Sequence, residues 1–354
     1  MGSRFLIALV ALMALGNATA SPAQSDAPMT FHADLSRVNR LYSNDIAATG
    51  LPIYADGIIN VGTTDRLLSF IKLNKIEVGR IYFNSGGGSL LEGIKLGRAI
   101  RKLQLYTSIG VEGNGSDNRA SFCASACAYA FAGGISRFLD ASTGRLGIHQ
   151  FYSAVGDHSS EGETQLVAGL LAAYLNDMGI DARAFALASV TEHEGILWLT
   201  PSEAAALGFA NNGVQPTEAQ IKINGMMPYL RLEQTRYNVT SRYLFFCDEG
   251  AIEMGAGVVT NPETSALHAQ HVTKAYLELD GTEYLARTGP AAVTADDSVV
   301  WLRRPLPQVV AQALLKTRVA DIWIENGSGM RWGGPIDLSG VHQAMKNYFQ
   351  QCYK

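Results

Sequence analysis

Residues 80–103 read RIYFNSGGGSLLEGIKLGRAIRKL. Arg80 to Phe83 is a short apolar run, and Asn84-Ser85-Gly86-Gly87-Gly88 follows it. From Ser89 the apolar residues Leu90, Leu91, Ile94, Leu96, Ile100 and Leu103 recur with helical spacing. This predicts a strand, a glycine turn and a helix capped by Ser89. Consecutive glycines let backbone N–H groups turn toward an anion, and a helix start adds positive potential. A nucleotide phosphate loop would close on Gly-Lys-Ser/Thr, and that ending is absent.

Working outward, residues 52–60 predict a strand or β-hairpin turning at Asp56-Gly57, and residues 64–75 predict a helix. Residues 105–110 predict a strand, and 137–140 with 145–151 a strand pair around Ser142-Thr143-Gly144. Helices are expected over 163–178 and 201–207. Strands alternating with helices argue for an α/β domain with a largely parallel sheet. Past about residue 215 the texture changes. Segments 243–247, 272–279, 298–302 and 321–325 predict strands, and 339–351 a last helix. This gives a smaller, mostly β accessory domain with a C-terminal helix. The expected boundaries are 1–20 (signal peptide), 21–49 (lead-in), 50–215 (α/β domain) and 216–354 (accessory domain).

The leader rests on Arg4, an apolar run from Phe5 to Leu15, and the small-x-small site Ala18-Thr19-Ala20. The run falls short of the roughly 20 residues a spanning helix needs. Export to a periplasmic or secreted location is the expectation, with the mature chain starting near Ser21 and no transmembrane segment in it. The net charge of −4 and the absence of a basic block argue against nucleic acid as a partner. The four cysteines are Cys123, Cys127, Cys247 and Cys352, an even number compatible with disulfides in an oxidising compartment. Cys247 ends an expected strand and Cys352 follows the terminal helix, so a bond between them would tie the accessory domain together. Cys123 and Cys127 could stay thiols or pair locally. His268 and His271 could share a helix face, but no nearby cysteine or carboxylate completes a metal set.

Two segments could carry chemistry. In SFCASACAYAFAGG (121–134), small residues surround Ser125 on both sides. A nucleophilic serine at a helix start needs such neighbours, because backbone and substrate approach closely, and the next amide, of Ala126, can face an oxyanion. The plainer reading is a buried helix packed through its small residues. In GIHQF (147–151), His149 follows an apolar strand. It could be an ordinary core histidine, or a general base folded back within hydrogen-bond reach of Ser125.

Together, Asn84-Ser-Gly-Gly-Gly88, Cys123-Ala-Ser-Ala-Cys127, His149-Gln-Phe151 and Leu199-Thr-Pro-Ser-Glu-Ala-Ala-Ala-Leu-Gly208 resemble the ClpP protease family, within the ClpP/crotonase superfamily. The likeness covers about residues 50–213 and is greatest to exported bacterial ClpP-like serine proteases. It implies a ClpP/crotonase-like fold, Ser125 as nucleophile and His149 as base. It implies an oxyanion hole from the Gly88 and Ala126 amides, and acyl transfer with no metal or cofactor. It also implies a peptide or unfolded-protein substrate and a homo-oligomer. Gly86 stands where the family has proline, and Ile196 where its proteases have aspartate, so Glu194 is the expected third member and Glu192 the substitute. A serine–lysine dyad is the rival within the superfamily, but no lysine occurs between Lys102 and Lys222. The alternative outside enzymology is an inactive ClpP-fold scaffold. A crotonase-type acyl-CoA enzyme conflicts with export, since CoA is intracellular.

Overall fold

A computed structural model describes residues 27–35, 50–113, 118, 120–140, 142–150, 161–192, 195–237, 239–327 and 330–353. The expected signal peptide, most of the lead-in and Glu194 lie outside the described residues. The first half is α/β and the second mostly β with a C-terminal helix, matching the expected fold class.

In the first half, β1 (Thr30–His32), β2 (Leu51–Asp56), β3 (Gly79–Asn84) and β4 (Tyr106–Ile109) form one sheet in that order. β2, β3 and β4 are parallel and β1 runs antiparallel on the edge. Helices α1 (Thr63–Leu73) and α2 (Leu90–Lys102) are the crossovers that parallel neighbours require. A second sheet pairs β5 (Phe122–Ala124) parallel to β6 (Arg145–Ile148), with β7 (Leu197–Leu199) antiparallel beyond. A parallel bridge between Ser85 and Cys123 joins the end of β3 to β5. The helices α3 (Ala126–Ala132), α4 (Glu161–Asp177), α5 (Arg183–Val190) and α6 (Pro201–Ala206) complete this half. Alternate residues of β2 and β3 point inward, and Ile53, Ala55, Ile81 and Phe83 are fully buried.

One expectation is narrowed to its first alternative and one is corrected. Residues 52–60 hold one strand and no hairpin. After Asp56 the chain runs on, Ile58 donating to the Ala27 carbonyl and Ile59 to that of Gly87. Nor do 137–140 and 145–151 form a strand pair. Arg137 makes one parallel bridge to Thr107, while β6 pairs with β5. The Asp140 carboxylate accepts from the Ser142 and Thr143 amides at 2.8 and 3.2 Å, turning the chain away before β6 begins.

The second half contains two antiparallel sheets. One has the order β14 (Thr294–Asp296), β15 (Val299–Pro305), β11 (Ala251–Val259), β10 (Val239–Asp248), β9 (Met227–Arg236), β8 (Glu218–Asn224). The other has the order β13 (Thr282–Thr288), β12 (Val272–Leu279), β16 (Val319–Asn326), β17 (Arg331–Asp337). Helices α7 (Pro262–His271) and α8 (Gln308–Leu314) lie between strands, and α9 (His342–Cys352) closes the chain. The Phe349 ring of α9 meets Phe245 edge-on at 5.1 Å, and a disulfide joins Cys352 to Cys247 with Cα atoms 5.6 Å apart. The buried apolar residues fall into two clusters, one drawn from Met29 to Ala210 and one from Leu230 to Cys352.

Candidate active site

The glycine loop, Ser125 and His149 follow the carboxyl ends of β3, β5 and β6 respectively. Ser125 is the residue between β5 and α3, with φ 58° and ψ −128°. A side chain held there costs roughly 1–3 kcal/mol, and such conformations cluster at functional positions. The Ser125 amide donates to the Gly147 carbonyl at 3.1 Å, so its backbone is pinned to β6. β6 ends at Ile148 and His149 follows at once, while Ser125 follows the end of β5. The parallel register sets Ala124 opposite Gly147, which brings both residues to one edge of neighbouring strands. Ser125 is half-buried and His149 is 9% exposed.

The glycine loop lies against this serine. The Ser85 amide donates to the Phe122 carbonyl at 2.8 Å, and Ala124 returns a bond to Ser85 at 3.0 Å. Gly87 has φ +106°. A Cβ there would sit 2.6 Å from the Ser125 Cβ, 2.7 Å from the Ala124 oxygen and 2.9 Å from the Ala126 nitrogen. Only glycine fits. At Gly88, φ +131°, an added Cβ would come within 2.3 Å of the Ile59 oxygen. Among the described residues, no partner accepts the Gly88 or Ala126 N–H, whereas the neighbouring Gly87 and Ser89 amides donate to Ser85 Oγ and the Ile59 carbonyl. Ser89 caps α2 as expected, its Oγ accepting from the Glu92 amide.

Cys123 and Cys127, whose state the sequence left open, are joined by a disulfide that brackets Ser125. The bond links the middle of β5 to the first turn of α3, on either side of the strained residue. Gly93 and Gly97 of α2 face α3 so closely that a Cβ would lie 2.5 Å from the Ala126 oxygen and 2.8 Å from that of Tyr129. The small residues of 121–134 therefore do serve tight packing.

Sequence reading missed what holds the far end of α3. Arg101 donates to the carbonyls of Ala132, Gly133 and Gly134 at 2.9–3.1 Å. Arg137, 6% exposed, donates to Gly134, Gly208 and Phe209 carbonyls at 2.8–3.0 Å. Two cations at a helix C-terminus complement its dipole. Burial lowers the Arg101 pKa and pushes that of Arg137 down to about 10, which leaves Arg137 charged at neutral pH. Tyr174 adds a 2.6 Å bond to the Tyr129 carbonyl, and burial raises the Tyr129 phenol to about 12. Such partners are main-chain carbonyls, so no residue pattern announces them.

The surroundings of His149 are partly described. Its Nδ1 is buried with no hydrogen-bond partner among the described residues. Gln150, the residue after His149, donates to the Thr191 carbonyl at 2.9 Å, which sets Thr191 beside this strand end. Glu192 is exposed. Ile196 occupies the space over Gly147, where an added Cβ would lie 2.4 Å from the Ile196 Cγ2. Among the described residues no group of three or more His, Cys, Asp or Glu side chains could hold a metal, and His268 instead stacks on Trp332 at 4.0 Å.

No family model matches the chain, and no curated protein matches it. Among solved structures, it is similar to a mutant of the 1510-N membrane-bound stomatin-specific protease. That match has 18% identity over 45% of this chain and 75% of the other, with TM-score 0.33. It is also similar to a mutant of ClpP1 from Listeria monocytogenes, at 20% identity over 47% of this chain and 90% of the other, with TM-score 0.30.

Proposed function

We propose that this chain is an exported serine hydrolase, a peptidase that forms an acyl-enzyme on Ser125 with His149 as general base. One observation carries the reading. The serine is held at φ 58° between β5 and α3, and the parallel strand bonded to its amide delivers the histidine. Strain at a single serine beside a histidine is hard to explain by packing alone, because an alanine or glycine would fill the same space.

In the proposed cycle, the Ser125 Oγ attacks the substrate carbonyl carbon while His149 takes the hydroxyl proton. The Gly88 and Ala126 N–H groups face the developing oxyanion. As the C–N bond breaks, His149 returns the proton to the leaving amine. Water, deprotonated by His149, then cleaves the ester and restores the serine. Glu194 is our choice for the carboxylate that accepts from Nδ1 of His149 and fixes its tautomer, with Glu192 second. The disulfide and the two arginines lock α3 at both ends, so that the nucleophile is placed by rigid elements.

Export is supported by the leader pattern and by the pairing of all four cysteines in two disulfides. Among the described residues no helix is long and apolar enough to cross a membrane. The substrates we propose are short or unfolded peptides. Cleavage of a fluorogenic peptide library by the purified chain tests the reading. Ser125→Ala and His149→Gln should each abolish turnover, and turnover surviving in Ser125→Ala would overturn it.

A further inference from the structure

The inner face of the six-stranded sheet outruns its cover. Ile221 of β8 lies opposite Leu230 of β9, and Ala219 lies opposite Leu232. Leu230 and Leu232 are buried, and α9 covers that region through Phe349 and through a bond from the Tyr348 hydroxyl to the Pro228 carbonyl. Ile221 and Ile223 continue the same face but are 59% and 74% exposed, and Met226 in the adjoining turn is 95% exposed. β8 is also the last strand of its sheet, so its outer backbone edge pairs with no strand among the described residues. A long, apolar, uncovered edge is what soluble proteins usually avoid.

The polar face of β8 shows what completes it. Glu218, Gln220 and Lys222 alternate along the strand and share one side. Within the chain, Glu218 stands directly opposite another acid, Glu233, whose partner is Arg242 at 2.6 Å. Among the described residues Lys222 has no carboxylate partner. We propose that β8 pairs antiparallel with β8 of a second copy, about a two-fold axis through Gln220. In that register Glu218 of each copy faces Lys222 of the other, so both charges gain an opposite partner across the strands. Ile221 of each copy lies beside Ala219 of the other, which joins the two apolar faces into one. The two sheets become one, and the free edge of each β8 disappears. This dimer involves none of the proposed catalytic residues and stands whether or not Ser125 is a nucleophile.

Sedimentation velocity on the full chain across a concentration series tests it. The wild type should reach twice the monomer mass. Lys222→Glu places acids opposite each other at two symmetric positions and should weaken the dimer about tenfold or more. Adding Glu218→Lys to Lys222→Glu reverses every pair and should restore association. Gln220→Cys puts two thiols across the axis and should give a disulfide-linked dimer without reductant, whereas Ile221→Cys should not. A chain that stays monomeric, or an oligomer that Lys222→Glu leaves unchanged, would overturn the interface. Crosslinking through Ile221→Cys in place of Gln220→Cys would overturn the register.

Discussion

Gly87→Ala separates the placement of Ser125 from the stability of the fold. The added methyl carbon would start 2.6 Å from the Ser125 Cβ and within 2.9 Å of two backbone atoms, none of them the end of a flexible chain. Carbon atoms settle near 3.5 Å, so loop and serine must part by about 1 Å. A displacement of about 1 Å at reacting groups can cost on the order of 10²-fold in rate. The positive φ of +106° adds roughly 1–3 kcal/mol of backbone strain in the folded state. The assay is the second-order rate of fluorophosphonate labelling, set beside urea unfolding of the same sample. Gly281→Ala is the control. Its φ of +77° imposes strain of the same kind, but no atom lies within 4 Å of the new Cβ. We expect labelling of Gly87→Ala to fall about a hundredfold while Gly281→Ala labels normally. Wild-type labelling by a folded Gly87→Ala protein would refute the argument that this glycine positions the nucleophile.

Removing the Cys247–Cys352 disulfide with paired serines opens a loop of 105 residues and should cost about 4–5 kcal/mol by chain entropy. Urea titration reads this, and a loss under about 1 kcal/mol would show that α9 is held by packing alone. Arg137→Met removes the donor to the Gly208 and Phe209 carbonyls, while Arg101 still serves Gly134, and should destabilise by about 2–6 kcal/mol, at roughly 1–3 kcal/mol per orphaned group. Arg137→Lys, with one ammonium for three divergent acceptors, should recover only part of that loss in thermal melts. Glu194→Gln should lower peptide turnover far more than Glu192→Gln, and equal small effects would point to a serine–histidine dyad.

The segments that build the site were largely legible because their signals are local. Glycines, a capping serine and helical periodicity across 80–103 specify β3, its loop and α2 within a residue or two. Parallel pairing of β5 with β6 was not, since residues 137–151 look like a hairpin until the Asp140 turn is seen. In the second half, β12 was placed at its observed bounds, β16 within two residues, β15 and α9 within three, and only the later half of β10 was found. β8, β9 and β11 went unassigned. Glu218–Asn224 does alternate, but with only Ala219, Ile221 and Ile223 as its apolar residues, and Ala251–Val259 carries Gly255 and Gly257 beneath the Trp301 ring. The packing role of Gly87 and the carbonyl-binding roles of Arg101 and Arg137 depend on distant main chain, which no spacing rule encodes.

The proposal stands or falls on whether Ser125 is a nucleophile. The direct measurement is to treat the folded chain with a fluorophosphonate and locate the adduct by peptide mass spectrometry. The account predicts one phosphonylated residue, Ser125, with labelling lost in Ser125→Ala and in His149→Gln. An unlabelled wild-type protein, or an adduct elsewhere that persists in Ser125→Ala, would contradict it.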